Sequence, residues 1–262
     1  MDLRLKGKVA LIGGSSKGLG KACARQLAQE GAAVVICARE AAALHKTAQE
    51  IKDLGADVLA LPADLSLKAD DERIVEEAFK KFGRIDILVN NSGGPKLGVF
   101  ADLSDQDWEN AFQSVFMYTV RLVRLVAPEM KKNKWGRIIN ITSLSVKEPA
   151  AGLLLSNVFR SGVVSMAKSL SQELIKDNIT INNICPGAFK TERALSLLRK
   201  AAQDQKTTVE EIEKNAIKSM PLGRYQDPRE LGDLVVFLAS ELAAGITGTT
   251  IQIDGGISKG LL

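Results

Sequence analysis

The stretch "KVALIGGSSKGLG", residues 8–20, contains an apolar strand, a glycine-rich turn and the start of a helix. The turn carries Gly14, Gly18 and Gly20 in a Gly-x-x-x-Gly-x-Gly spacing. Glycines permit a tight turn and a close backbone approach, and the free N–H groups of the following helix attract a phosphate. A second apolar run, "AAVVIC" at 32–37, completes a strand–helix–strand unit. The stretch therefore predicts a dinucleotide-binding unit.

The same alternation of apolar runs and amphipathic segments continues along the chain. Near-continuous apolar runs are typical of parallel strands buried on both faces. The pattern predicts an α/β protein with one domain over residues 1–262, a single Rossmann-type, doubly wound parallel sheet of about seven strands with helices on both faces. The five further predicted strands are 57–62, 85–90, 136–142, 179–184 and 249–254.

One segment departs from this alternation. Residues 191–226 form a long, mostly helical insertion between the sixth and seventh predicted strands. The insertion follows the carboxyl end of a strand, where open α/β sheets bind ligands. Its many charges and few apolar residues favour a mobile lid that covers a bound substrate. The alternative is a static pair of helices.

Composition and charge argue against several classes of protein. The net charge of +4 comes from cations scattered among acids, which argues against nucleic-acid binding. No apolar stretch is long enough to span a membrane and no signal peptide is recognisable, so we expect a cytoplasmic protein. Cys23, Cys37 and Cys185 are too few and too widely spaced for a disulfide framework or a metal site. His45 is the only histidine and has no partner at a useful spacing, so the mechanism must work without histidine.

Small and polar residues follow several predicted strands, where they would meet at one edge of the sheet. Asp64 follows the third strand and could accept a hydrogen bond from an adenine amino group. "NNSGG" at 90–94 follows the fourth strand, and "PGAFKT" at 186–191 follows the sixth, where a nicotinamide amide could meet the backbone and a hydroxyl. The predicted cofactor-binding residues are Gly14, Ser16, Lys17, Gly18, Leu19, Arg39, Asp64, Leu65, Asn91, Gly93, Arg160, Pro186, Gly187 and Thr191.

The end of the second strand bears on which dinucleotide is bound. An acid at this point would bind the ribose 2′-hydroxyl of NAD. The chain instead has Ala38 followed by Arg39, and Lys17 lies in the glycine turn. Two cations beside the 2′ position favour a phosphate, and hence NADP(H) over NAD(H). The alternative is that Arg39 is solvated surface.

The order of these motifs resembles that of the short-chain dehydrogenase/reductase family. The resemblance rests on the glycine turn, "NNSG" in place of Asn-Asn-Ala-Gly, "NITS" at 140–143, the "PG…T" segment and the final "IDGG" at 253–256. It covers nearly the whole chain and is closest to 3-oxoacyl-carrier-protein reductases. The resemblance implies an NAD(P)-dependent oxidoreductase that acts on a small-molecule carbonyl, alcohol or acyl substrate. It also implies a homo-oligomer, a dimer or tetramer, formed through the helices at about 104–131 and 151–175.

The family's chemistry uses an Asn, a Ser, a Tyr and a Lys, and three of these positions differ here. The resemblance places the Ser on Ser143, but the Tyr position holds Ser156, the Lys position holds Arg160 and the Asn position holds Val115. An aliphatic hydroxyl is a far weaker acid than a phenol, whose pKa is about 10. Arginine stays protonated and cannot relay protons, although its planar fork can hold ribose hydroxyls or an anionic substrate. The usual proton relay is therefore absent.

Another residue could supply the proton. Lys147 and Glu148 lie on the loop after Ser143 and could act there, or they could be an exposed pair. Tyr118 is expected to pack or to contact another subunit, and Tyr225 has nothing to position it over the site. The predicted catalytic residues are Ser143, Ser156, Arg160 and Lys147. Two functions stay open, an NADP(H)-dependent oxidoreductase with a rebuilt acid and an NADP(H)-binding sensor or structural subunit without turnover.

Overall fold

Parallel strands form one sheet at the centre of the computed structural model, which describes residues 2–260. Within these residues the sheet has seven strands in the order β3-β2-β1-β4-β5-β6-β7, and every neighbouring pair is parallel. The predicted fold class is therefore confirmed. The strands are β1 Val9–Ile12, β2 Ala33–Ala38, β3 Val58–Pro62, β4 Ile87–Asn90, β5 Gly136–Ile141, β6 Ile179–Pro186 and β7 Thr250–Ile253.

Helices cover both faces of this sheet because its strands are apolar on both faces. In β1, Ala10 and Ile12 belong to one buried cluster, whereas Val9 and Leu11 belong to a second cluster on the opposite face. Helices α1, α2 and α9 contribute to the first cluster, and α3, α5 and α6 contribute to the second. The helices are α1 Gly18–Gln29, α2 Ala41–Lys52, α3 Lys68–Phe82, α4 Asp105–Ala111, α5 Tyr118–Lys132, α6 Leu154–Leu174, α7 Glu192–Asp204, α8 Val209–Lys218 and α9 Pro228–Ala239.

The strand order reverses between β1 and β4, which are neighbours in the sheet. The chain winds outward from β1 through β2 to β3, then returns to β4 and winds outward the other way. At such a switch point the loops leave the carboxyl ends of the strands in opposite directions, and a crevice opens between them. The sheet topology therefore fixes where a ligand site forms.

The helix predicted at 104–131 is not one regular α-helix. Helix α4 is joined to α5 by a wider π-helical turn, Phe112–Met117. Val115 is buried within this turn. A π-helical turn shifts the faces of the helix relative to an α-helical wheel, and such turns are frequent at functional sites.

The predicted insertion at 191–226 is helical. It contains α7 and α8, whose first turns are capped by the hydroxyls of Thr191 and Thr208. Its two ends are joined by main-chain hydrogen bonds from Lys190 to Gln226 and from Gln226 to Ala188. Closing the ends of the insertion in this way anchors it beside β6, and its role as a lid stays a prediction.

No helix in the part of the chain that the structure describes combines the length and apolar character needed to cross a membrane. Residues 2–260 also contain no group of His, Cys, Asp and Glu side chains that could hold a metal ion.

Candidate active site

A crevice of about 710 Å³ opens at the carboxyl edge of the sheet. Its walls come from the loops after β1 to β6, from α6 and from the first turns of α7. Every residue predicted to bind the cofactor lines this crevice, and so do Ser143 and Ser156. The parallel strands bring these residues together because their carboxyl ends meet at one edge of the sheet.

The glycine turn between β1 and α1 forms the floor of the crevice. Gly14 and Gly18 have φ angles of +54° and +58°, a conformation that L side chains rarely adopt. A β-carbon on Gly20 would lie 2.4 Å from the carbonyl oxygen of Gly14. The side-chain amide of Asn91, after β4, donates hydrogen bonds to the carbonyl oxygens of Gly13 and Gly14 at 3.0 and 3.2 Å. These contacts hold the turn in its tight form.

The N-terminus of α1 faces this turn and has no side-chain cap. Lys17 is its N-cap residue, its side chain makes no capping hydrogen bond, and the first turn contains no acid. The first N–H groups of a helix have no partner within the helix and attract negative charge. The turn and the helix end together form a cradle for an anion such as a pyrophosphate.

Both cations of the predicted 2′-phosphate site line the crevice. Lys17 forms an ion pair with Glu40 at 3.5 Å, and both side chains are more than 60% exposed, so this pair is weak. Arg39 is exposed and has no carboxylate within 4.0 Å in residues 2–260. Glu40 was not predicted to belong to the crevice, and its carboxylate partly offsets the two cations. Asp64 accepts hydrogen bonds from the backbone N–H and the hydroxyl of Ser66 at 2.9 and 2.8 Å.

At the other end of the crevice Ser143 follows β5, and Ser156 and Arg160 lie one turn apart on α6. Ser143 lies at the start of a 3₁₀ turn, and its hydroxyl oxygen accepts a hydrogen bond from the backbone N–H of Ser145 at 3.1 Å. The hydroxyl proton of Ser143 is therefore left for a ligand. Ser156 and Arg160 are 7% and 8% exposed, and both line the crevice.

Arg160 is held by the main chain and not by an acid. Its Nη1 donates hydrogen bonds to the carbonyl oxygens of Ile141 and Thr142 at 2.8 and 3.1 Å. The sequence predicted ribose hydroxyls or an anionic substrate as partners of Arg160 and did not predict these two carbonyls at the end of β5. The remaining guanidinium nitrogens make no hydrogen bond within the described chain. Burial lowers the pKa of Arg160, and a guanidinium nevertheless stays protonated in proteins.

Lys147 is the one predicted catalytic residue that does not line the crevice. Its backbone N–H closes the 3₁₀ turn by bonding to Leu144, and the half-buried side chain places its positive charge near the thiol of Cys185. Glu148 is exposed, and its carboxylate accepts a hydrogen bond from the backbone of Lys259 at 3.4 Å. The turn after Ser143 therefore carries both residues away from the crevice wall.

Neither candidate tyrosine reaches the crevice wall. Tyr118 is buried at the start of α5, where burial raises the pKa of its phenol, and Tyr225 is half-buried in the insertion. Within residues 2–260, no tyrosine, histidine or cysteine lines the crevice. The family's phenolic acid therefore has no direct replacement on the wall.

Sequence patterns did not point to several other crevice residues. Lys96 follows β4 and forms an ion pair with Asp107 at 2.8 Å. Ser114 lies in the π-helical turn, beside the Val115 position, and Arg193 lies in the first turn of α7. The position of Arg193, two residues after Thr191 at a strand's carboxyl end, is the signal that would have found it.

Comparison with known proteins places this geometry in a family. Residues 14–258 match the family model described as enoyl-(acyl carrier protein) reductase. The chain is 35% identical to the uncharacterized oxidoreductase YvrD of Bacillus subtilis over the whole of both chains. It is 32% identical to the 3-oxoacyl-[acyl-carrier-protein] reductase FabG of Aquifex aeolicus, over 98% of this chain and 100% of that one.

A solved structure agrees with these relatives. The structure of L-sorbose reductase from Gluconobacter frateurii, complexed with NADPH and L-sorbose, superposes with a TM-score of 0.96. The two sequences are 33% identical, and each chain is covered completely. These relatives are named as oxidoreductases and reductases, the class that the sequence predicted. The chain belongs to the short-chain dehydrogenase/reductase family.

Proposed function

We propose that the protein is an NADP(H)-dependent oxidoreductase that interconverts a carbonyl and an alcohol on a small-molecule substrate. The observation that carries this proposal is a single crevice that joins an uncapped anion cradle at one end to Ser143, Ser156 and Arg160 at the other. The relatives that resemble the chain over its full length are named as reductases and oxidoreductases, which supports the same reaction class.

The residues of the crevice fit a phosphorylated dinucleotide. The cradle at Gly14–Gly18 suits the pyrophosphate, since a β-carbon on Gly14 would lie 3.0 Å from the carbonyl oxygen of Asn91 and both glycines adopt positive φ angles. Arg39 and Lys17 suit a 2′-phosphate, and Asp64 suits the adenine. Thr191, Pro186 and Gly187 suit the nicotinamide amide. When bound, the cofactor supplies or accepts the hydride.

The chain's own residues would act on the substrate oxygen. Ser143 donates a hydrogen bond that orients the carbonyl, and the positive charge of Arg160 stabilises the alkoxide that forms during reduction. The hydroxyl of Ser156 passes its proton to the alkoxide and is reprotonated by water from the open crevice. An aliphatic hydroxyl and the product alcohol are acids of similar strength, so this transfer is close to neutral in free energy, but so weak an acid assists the developing alkoxide little while the hydride moves. In this mechanism, electrostatic stabilisation of the alkoxide takes the place of acid catalysis by a phenol.

The test is NADPH oxidation measured across aldehydes, ketones and acyl thioesters. We expect saturable turnover that falls about 10²-fold in Ser143→Ala, because a hydrogen-bond donor to the developing oxyanion is lost. We also expect kcat to stay flat between pH 6 and pH 9, since neither serine nor arginine titrates there. Ser169→Ala removes an exposed hydroxyl on the outer side of α6 and serves as the control.

Binding without turnover is the second candidate function. It is favoured by the crevice wall, which in residues 2–260 holds no tyrosine, histidine or cysteine to move a proton. Tight NADPH binding with no oxidation of any carbonyl would select this function. A Lys147→Ala variant is measured in the same assay, because loss of turnover in this variant would show that Lys147 supplies the proton.

The preference for NADP(H) is part of the proposal and has its own test. Arg39→Ala is expected to weaken NADPH binding about 10-fold and to leave NADH binding unchanged, because only NADPH carries the 2′-phosphate. Fluorescence titration with both cofactors measures this. Lys46→Ala removes an exposed cation of the neighbouring helix α2 and should change neither affinity. Equal losses for both cofactors would contradict a role for Arg39 at the phosphate.

A homo-oligomer remains part of the proposal. Half-buried aromatic rings on α4, the π-helical turn and α6 form a cluster in which Phe159 contacts Trp108 and Phe112 at ring-centre distances of 5.8 and 5.9 Å. This cluster lies in the helices through which a dimer or tetramer was predicted.

A further inference from the structure

Arg193 spans the crevice at the end that holds Ser156 and Arg160. The side chain is exposed and lines the crevice from the first turn of α7. Its guanidinium lies against the loop after β4, where a β-carbon on Gly94 would be 2.4 Å from Nη1 and 2.6 Å from Nη2. The glycine at position 94 leaves room for the planar group to lie this close to the opposite wall.

The charges at this end of the crevice are not balanced. Alongside burial, the positive charge of Arg193 lowers the pKa of Arg160, so the two guanidinium groups act on one another. Neither has a carboxylate within 4.0 Å in the described chain. The two acids on the crevice wall, Glu40 and Asp64, follow β2 and β3, at the glycine-turn end.

Two like charges that face a shared space repel each other unless an anion lies between them. Arginine is well suited to that anion because its planar fork binds carboxylate or phosphate oxygens in pairs. Arg160 offers free donors towards the crevice, and Arg193 offers its whole guanidinium. The same end is also lined by Leu97, Leu153 and Leu197, which provide an apolar wall for a carbon chain.

We propose that the substrate is a carbonyl compound that carries an oxyanion group on a short apolar chain, and that Arg193 binds this group with the help of Arg160. This inference rests on the proposed function, because it names the substrate class of the same site. An oxyanion in this crevice has two sources, the substrate and the cofactor's pyrophosphate. Arg193 lies against Gly94 and its charge acts on Arg160, at the end of the crevice that holds Ser156, which favours the substrate.

The experiment uses six-carbon keto acids whose ketone lies at different distances from the carboxylate, each paired with its methyl ester. We expect kcat/KM with NADPH to be at least about tenfold higher for one acid than for its ester, the value of a charge-assisted hydrogen bond. Arg193→Gln should bring this ratio close to one by lowering the rate for the acid alone, and Arg193→Lys should retain part of it. Arg199→Gln removes an exposed arginine on the same helix that does not line the crevice, and should leave the ratio unchanged.

A binding measurement separates this inference from the proposed function. Calorimetry of each acid and ester with the NADP⁺ complex reports binding in a combination that cannot react, since both partners are oxidised. Binding of an acid that is lost in Arg193→Gln, without turnover in any assay, would support the anion site and contradict the oxidoreductase. Turnover with equal kcat/KM for acid and ester would support the oxidoreductase and contradict the anion site. A tenfold loss of NADPH affinity in Arg193→Gln with an unchanged acid-to-ester ratio would assign Arg193 to the pyrophosphate and overturn the inference.

Discussion

Ser156→Tyr combined with Arg160→Lys is expected to raise kcat for carbonyl reduction by about 10²-fold or more over the unaltered chain. A positioned general acid contributes about 10²–10⁴-fold to such reactions. The phenol supplies a stronger acid than the Ser156 hydroxyl, and the neighbouring ammonium lowers its pKa towards the working range. Steady-state NADPH oxidation with the best substrate of the panel measures the gain.

The structure indicates that the crevice can accept this pair. Ser156 lines the crevice, so a tyrosine ring at this position extends into open space and not into the core. Arg160 gives up hydrogen bonds to Ile141 and Thr142 on becoming lysine, and the shorter ammonium can still donate to one of these carbonyls. Ser156→Tyr alone should gain less, since an arginine beside the phenol cannot pass on a proton.

Ser156→Phe with Arg160→Lys is the matched control, because it adds the same ring without the hydroxyl. This variant should gain nothing. If it reached the rate of the tyrosine variant, the gain would come from substrate packing, and proton supply would not be what limits the natural chain. The NADPH affinity of each variant, measured separately, distinguishes a change in chemistry from a change in cofactor binding.

The cofactor end of the crevice was predictable because sheet topology determines it. The glycine turn, Asp64, Asn91 and the 186–191 segment each follow an apolar run, and parallel strands place the residues after them at one edge. Such positions depend on the order of strands and helices and tolerate errors of a residue or two in their boundaries.

The substrate end was less predictable because it depends on the direction of turns. Lys147 lies only four residues after Ser143, yet the intervening 3₁₀ turn takes it off the wall. The sequence position of Arg193 after β6 places it near the crevice, but the direction of its side chain towards Gly94 depends on how α7 begins, which the sequence pattern does not report. The π-helical turn is also hidden, because it shifts the apolar face within a single turn, which is too short a stretch to stand out in the periodicity of the sequence.

Arg121→Met is expected to lower the free energy of unfolding by about 3–5 kcal/mol at pH 8, which is the usual cost of leaving a buried charge without its partner. Nε of Arg121 donates a hydrogen bond to Oδ2 of Asp71 at 2.5 Å, and both side chains are buried. Nη2 of Arg121 donates to the carbonyl oxygen of Leu65 at 3.1 Å, so the same arginine fixes the crevice loop after β3. The variant should therefore also weaken NADPH binding. Chemical denaturation and cofactor titration measure the two effects.

The loss of stability in Arg121→Met should depend on pH, and the ionisation of Asp71 sets the direction of this dependence. Burial raises the pKa of this carboxyl from 3.8 to about 7 in spite of the opposing charge of Arg121. Because the folded pKa lies above the unfolded value, ionising Asp71 costs stability progressively as the pH rises from about 4 to about 7. Without Arg121 the pKa rises further, so the carboxyl of the variant stays neutral to a higher pH, and the loss at pH 8 should exceed the loss at pH 5 by up to about 1.4 kcal/mol, the value of one pH unit. Asp71→Asn with Arg121→Met should recover part of the loss at pH 8, since no charge is then buried alone. Equal losses at both pH values would mean that the destabilisation comes from packing and the hydrogen bond to Leu65, and not from an unpaired carboxylate.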